Sequence, residues 1–326
     1  MSKFRFPSWL LAGGAAFGAW VLYQSFSVDH DMPIGPAIDA TRHDFHGQSS
    51  TLMSYYADTS VSGRPLVLLH SINAAANAYE VRPIFEQYRG QRPVYALDLP
   101  GFGFSERTNR EYSIDLYVAA ITDFMLDIVG EPADVLSISL TSEFMAKAAH
   151  QTPELFHSLT MISPTGFTPR ESKPISQSAS EKQQSNGVYQ FLTNPLWSQP
   201  LFDLLVMKSG IRYFLGKNFA DEPDEGLIDY HHRSSHQPNA RFAPFYFVSG
   251  ALFAPNILDA VYQHLNLPVL VLYDTDPNIS FDLLPSLLAT RSNWRARRIP
   301  NTRGLPHFDQ AEITYTALDE FWADIE

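Results

Sequence analysis

The sequence predicts an α/β protein: a doubly wound, mostly parallel sheet, interrupted by a helical cap and preceded by an N-terminal transmembrane helix. Three observations carry that expectation. From Arg64 onward, short apolar runs alternate with stretches of helical periodicity, as parallel β-α-β units do. The alternation stops at Pro164-Thr165-Gly166 and resumes at Pro268, so a segment of different character is inserted into the sheet. Ahead of both lies an uncharged stretch from Phe6 to Phe26, which as a helix spans roughly 31 Å, one bilayer core.

Taken in order, residues 1–28 read as a membrane anchor or signal segment. Lys3 and Arg5 before it, with Asp29 and Asp31 after it, put the N-terminus inside and the main domain outside the cytoplasm. Small residues Ser25 and Ser27 leave cleavage, and a secreted or periplasmic product, as the alternative. Residues 29–63 form a tether and leading strands, Ala40 to Phe45 and Thr51 to Ala57, around the turn His46-Gly47-Gln48-Ser49. Residues 64–165 and 251–326 form the core. Its strands are Pro65 to Leu69, Pro93 to Leu97, Val135 to Ser139, Ser158 to Ser163, Pro268 to Tyr273 and Trp294 to Ile299. Helices cover Tyr79 to Tyr88, Ile114 to Val129, Glu143 to His150 and Ala311 to Ile325. Residues 166–250 form the cap, polar from Glu171 to Gly187 and then aromatic-rich and helical from Val188 to about Phe247, with Tyr189, Phe191, Trp197, Phe202, Tyr213 and Phe214 in that part.

Composition narrows the chemistry. A formal net charge of -12 across 326 residues lacks the clustered cations a nucleic-acid surface needs, so nucleic acid is excluded as a partner. The absence of cysteine removes disulfides, thiolate nucleophiles and Cys-ligated zinc. His232 and His236 stand one helical turn apart, but no carboxylate arrangement completes a metal site, and no glycine-rich phosphate loop is present. Neither metal nor cofactor is expected.

The most informative run is Val135 to Glu143, VLSISLTSE, where a β-branched and apolar strand stops at a serine that opens a helix. A serine at such a turn is the outline of a nucleophile elbow, G-x-S-x-G, here Ser137-Ile138-Ser139-Leu140-Thr141 with both glycines replaced. Other segments extend the pattern in chain order. They are Leu68-Leu69-His70-Ser71-Ile72-Asn73, Asp98-Leu99-Pro100-Gly101-Phe102-Gly103-Phe104-Ser105, Ile162-Ser163-Pro164, and Val269 to Pro277, VLVLYDTDP.

These segments resemble the α/β-hydrolase superfamily over roughly Arg64 to Trp322. The resemblance implies a serine hydrolase without cofactor, acting on a small or medium apolar ester through an acyl-enzyme. Ser139 is then the nucleophile, Asp276 the triad acid, and the backbone N–H groups of Leu140 and Ile72 the oxyanion donors. Counting back from the terminal helix puts the family's histidine at Gly304; the nearest imidazole, His307, is the candidate base. Glu143 in the first turn of the elbow helix suits the helix dipole and is a candidate partner for Arg303. His70, after a buried strand, reads as a structural histidine. Serine at the elbow argues against the dehalogenase and epoxide-hydrolase branches, which resemblance implies use aspartate there. The departures at Ser71, Ser137, Thr141 and Gly304 motivate a second expectation. It is a catalytically degenerate member that binds a lipophilic ligand or a protein partner.

Overall fold

The computed structural model describes residue 18, residues 27–169 and residues 187–325. Among the described residues there are eight strands: β1 (Thr41–His46), β2 (Leu52–Asp58), β3 (Leu66–Leu69), β4 (Val94–Asp98), β5 (Ala133–Ile138), β6 (Phe156–Ile162), β7 (Val269–Thr275) and β8 (Trp294–Arg303). They form one sheet in the order β1-β2-β4-β3-β5-β6-β7-β8. β1 and β2 are antiparallel, as are β2 and β4, and every pairing from β4 to β8 is parallel. The order jumps between β3 and β5, and that switch at the carboxyl ends is where open α/β sheets place their ligand sites.

Strand chemistry follows position. β3 and β5 lie inside the sheet with helices on both faces, and every one of their residues is buried. Alternation divides their side chains between two apolar clusters, Val67 and Leu69 in one, Leu66 and Leu68 in the other. The first is closed by the helices Ile114–Phe124 and Thr141–Gln151, the second by Arg82–Tyr88 and Ala311–Ala323. Ser113 starts the first of these helices by accepting a hydrogen bond from Leu116 N–H at 3.2 Å. At the end of β4, Asp98 fixes the following loop, accepting from Ala78 N–H at 2.9 Å and Phe104 N–H at 3.0 Å. Gly103 is required there, because a Cβ would sit 1.9 Å from the Asp98 carboxyl carbon.

Between β6 and β7 the chain leaves the sheet, and the helices Ser198–Leu205, Lys208–Asn218, Glu225–Ser235 and Phe242–Val248 make the inserted cap. Tyr230 ties it to the leading segment through a 2.9 Å hydrogen bond to the Gly35 carbonyl.

The expected transmembrane helix is corrected. Among the described residues no helix is long and apolar enough to cross a membrane. The stretch 6–26, Gly18 apart, lies outside the described residues. Apolarity over twenty residues measures partition into lipid, not conformation, so the sequence signal does not by itself make a span. The described residues thus hold no membrane helix, and the single-pass anchor and the membrane partner drawn from it are withdrawn.

Candidate functional site

Ser139 follows the last residue of β5 at φ 54, in the left-handed region that a non-glycine residue rarely occupies. Leu140 returns to right-handed geometry and the helix Thr141–Gln151 begins at once. The turn is pinned at both sides. Ser139 N–H donates to the Ile162 carbonyl at 2.8 Å, and the Ser139 carbonyl accepts from Ser142 N–H at 3.1 Å. Where the motif has glycines, hydroxyls make bonds: Ser137 Oγ lies 3.0 Å from Ser142 Oγ, and Thr141 Oγ1 donates to the His70 carbonyl at 2.7 Å. Ser139 itself is half-buried.

The turn after β3 faces this elbow. His70 is fully buried; its Nε2 accepts from Leu99 N–H at 3.0 Å, so its Nδ1–H donates to the Ser71 carbonyl at 2.6 Å. That geometry matches the structural reading of this histidine. The turn is held from behind by buried Glu80, whose carboxylate accepts from Ser71 N–H at 2.8 Å, Ser71 Oγ at 3.1 Å and Asn73 Nδ2 at 2.8 Å. From the cap, His231 Nε2 stands 3.6 Å from Glu80 Oε1. Burial lowers the His231 pKa against the opposing pull of Glu80. Among the described residues the backbone N–H groups of Leu140 and Ile72 donate no hydrogen bond. Two such donors at the two turns can stabilise charge on an oxygen held between them.

Asp276 lies one residue beyond β7. Its Oδ1 accepts from Asn278 N–H at 2.8 Å and Ile279 N–H at 3.1 Å, and burial raises its pKa against those bonds. Gly304 is its neighbour across the sheet end: a Cβ there would sit 3.3 Å from Asp276 Oδ2, and 3.5 Å from Asn218 of the cap. The position at which counting back from the terminal helix places a histidine thus lies beside Asp276, and glycine leaves it without a side chain.

His307 is elsewhere. On the short helix Pro306–Asp309 it is 1% exposed, with Nε2 2.7 Å from the Glu80 carbonyl. A carbonyl only accepts, so Nε2 carries the proton, and Nδ1 is buried without a partner. Burial pushes its pKa down to about 4. Among the described residues no hydrogen bond joins it to Ser139 or Asp276.

Glu143 is fully buried and accepts from Thr165 Oγ1 and from Ala254 N–H, while Arg303 is exposed at the end of β8; the expected pairing of the two is not made. Ring nitrogens of His232 and His236 lie within hydrogen-bond distance of the carbonyls of Val206 and His232. Sequence reasoning missed Glu80, which sits in a helical stretch with no motif around it, and Asn218, which reaches the site only through the cap.

The pattern of the alpha/beta hydrolase family matches residues 66–316, and the chain belongs to that family. No curated protein matches it. Solved structures share the fold at low identity. An epoxide hydrolase superposes with a TM-score of 0.67 at 19% identity, over 88% of this chain and 99% of its own. A membrane phospholipase A, described as a bacterial virulence factor, gives 0.65 at 17% identity, over 98% of this chain and 92% of its own. A thermophilic esterase from Thermogutta terrifontis gives 0.64 at 15% identity, over 88% and 99%. Family and fold together support a hydrolase-type role.

Proposed function

We propose that the protein is a serine hydrolase acting on a small or medium apolar carboxylic ester, with Ser139 Oγ as the acyl acceptor. The observation that carries this reading is the left-handed backbone of Ser139 at the end of a central strand. Holding a non-glycine residue there costs on the order of 1 kcal/mol or more, and such strain collects where a side chain must be aimed. In the proposed cycle Ser139 Oγ adds to the ester carbonyl, and the developing oxyanion takes hydrogen bonds from Leu140 and Ile72 N–H. The alcohol leaves and water releases the acid. Asp276 is the acid of the site. His307 is read as structural, because its Nε2–H is held by the Glu80 carbonyl, its lone-pair nitrogen Nδ1 is buried, and neither reaches Ser139 or Asp276 by a hydrogen bond among the described residues.

A second reading is favoured by Gly304 alone: a catalytically degenerate protein that binds a lipophilic ligand or a protein partner, since an unassisted serine hydroxyl is a weak nucleophile. The test is labelling by a fluorophosphonate, located by peptide mass spectrometry, in the full chain, in Ser139→Ala and in Gly304→His. The hydrolase reading expects Ser139 to be labelled, faster once a histidine is restored. A Ser139 that stays unlabelled in both the wild type and a folded Gly304→His leaves the binding reading.

A further inference from the structure

One imidazole of the cap meets both ends of the turn after β3. His231 is buried on the helix Glu225–Ser235, which is seated against the segment Ala78–Val81 by Tyr230, its ring 5.3 Å from the ring of Tyr79. His231 Nδ1 approaches the Ala75 carbonyl, and a carbonyl only accepts, so Nδ1 carries the proton of the neutral ring. Asn77 closes the same corner, its Nδ2 donating to that carbonyl at 2.9 Å and standing 3.2 Å from Nδ1. Nε2 is then a lone pair, buried and without a hydrogen bond, and it lies 3.6 Å from Glu80 Oε1. The Glu80 carboxyl accepts from Ser71 N–H, Ser71 Oγ and Asn73 Nδ2, a set of donors that suits its ionised form. Two acceptors therefore face each other out of water, and one proton added between them makes an ion pair.

We propose that His231 is a proton-operated positioning residue: neutral, it leaves Glu80 to hold the oxyanion turn, and protonated at Nε2, it competes for Glu80 and loosens that turn. The inference rests on the hydrolase reading, in which Ile72 N–H, next to Ser71, is an oxyanion donor. A charge-assisted N–H···O bond closes to about 2.8 Å, so about 0.8 Å of the 3.6 Å gap is taken up on protonation. The ring is tethered at Nδ1 to Ala75, which leaves the carboxylate to make the move. Glu80 Oε1 already serves Ser71 Oγ at 3.1 Å and Asn73 Nδ2 at 2.8 Å, and a third, charged donor competes with both. Ser71 is loosened, and with it the aim of Ile72 N–H. Besides Glu80, His70 acts on His231 and opposes a second cation beside it, while both of its own ring nitrogens are bonded. Glu80 also acts on His307, whose Nε2–H it holds through its carbonyl. Burial resists the added proton on His231 more than Glu80 attracts it, so the change falls on the acid side of the ordinary imidazole range. The turn is tight near neutral pH and slack in acid.

His231→Asn separates the two nitrogens, because its amide can donate to Ala75 from the place of Nδ1 and nothing replaces Nε2. The experiment follows the His231 ring and the Ser71 and Ile72 amides of the full chain by NMR between about pH 8 and about pH 5, above the range in which His307 charges. The expected result is one midpoint below 6.5, shared by the ring and both amides, and no such midpoint at the amides of His231→Asn. Fluorophosphonate labelling of Ser139 is measured over the same range in both proteins, each rate divided by its own value at the alkaline end. The ratio of wild type to variant removes the loss any serine shows as hydroxide falls. It should drop on the order of tenfold through that midpoint, less than the roughly 10²- to 10³-fold cost of removing an oxyanion donor outright. A ring that stays neutral throughout, or amides that ignore its titration, overturn the proposal while the hydrolase reading stands. Amides that follow the ring while the rate ratio stays flat overturn the positioning role. No labelling in the wild type or in a folded Gly304→His removes the hydrolase reading itself, and the amide titration still decides whether His231 moves the turn. If His231→Asn fails to melt cooperatively, the wild-type titration of ring and amides decides alone.

Discussion

If His307 is a buried structural imidazole, it should announce itself in the pH dependence of stability. Its folded pKa is about 4, pushed down by burial, against 6.5 for a free histidine. Above pH 6.5 the ring is neutral in both states and contributes no proton linkage. As the pH falls from 6.5 towards 4, the unfolded chain takes up a proton that the folded protein refuses, so the folded state loses stability. The difference between the two pKa values corresponds to about 3 kcal/mol, fully lost near pH 4 and constant below it. Buried His231, whose pKa burial also lowers, adds in the same direction, so the wild-type slope alone does not isolate His307. His307→Gln does, because glutamine keeps a donor for the Glu80 carbonyl and does not titrate. Urea unfolding of both proteins at intervals between pH 7.5 and about 4.5 should show their stability difference shrinking by about 2 kcal/mol or more as the pH drops. Parallel curves over that range, or an NMR titration of His307 near its free value, would refute the burial argument. They would return His307 to candidacy as a base.

Two further outcomes test the turns. Ser139→Gly should abolish labelling yet raise stability by about 0.5 to 1 kcal/mol in the same unfolding assay, because glycine carries no penalty at positive φ and gives back only part of that gain in chain entropy. Glu80→Gln turns one acceptor oxygen towards Ser71 or Asn73 into a donor. It should cost about 2 kcal/mol, the scale of a hydrogen bond to a charged group. It should also slow labelling of Ser139 if Ile72 N–H is an oxyanion donor, whereas a melting change with no rate change would confine Glu80 to stability.

Much of the sheet could be read from the chain because its inner strands have no solvent face: Leu66 to Leu69 and Val135 to Ile138 are apolar or small at nearly every position. The ends were harder. β5 begins two residues before Val135, since Asp134 is buried by Arg92, His157 and Ser158 rather than by apolar contact. β8 runs on to Arg303 because Arg303 still pairs with Thr275, although the strand is polar past Ile299. At the site, the abrupt stop of an apolar run at Ser139 was legible, and counting from the last helix leads to Gly304, which the fold sets beside Asp276. Glu80 was not, since its partners come from a turn and the cap, and nothing local distinguishes it from any helical glutamate. The N-terminal stretch 6–26, Gly18 apart, lies outside the described residues, and its composition measures partition into lipid without specifying a conformation.

The hydroxyl of Thr141 bears on how this elbow could be altered. Restoring the familiar glycine at that position would look like a repair of the motif. Yet Thr141 Oγ1 bridges the helix that follows Ser139 to the carbonyl of His70, the residue that opens the opposite turn. Glycine would cut the strut between the two halves of the site and free the helix start in the same stroke. Where a small residue would merely permit close approach, this chain carries one that fastens it, so a substitution toward the motif would loosen the turn.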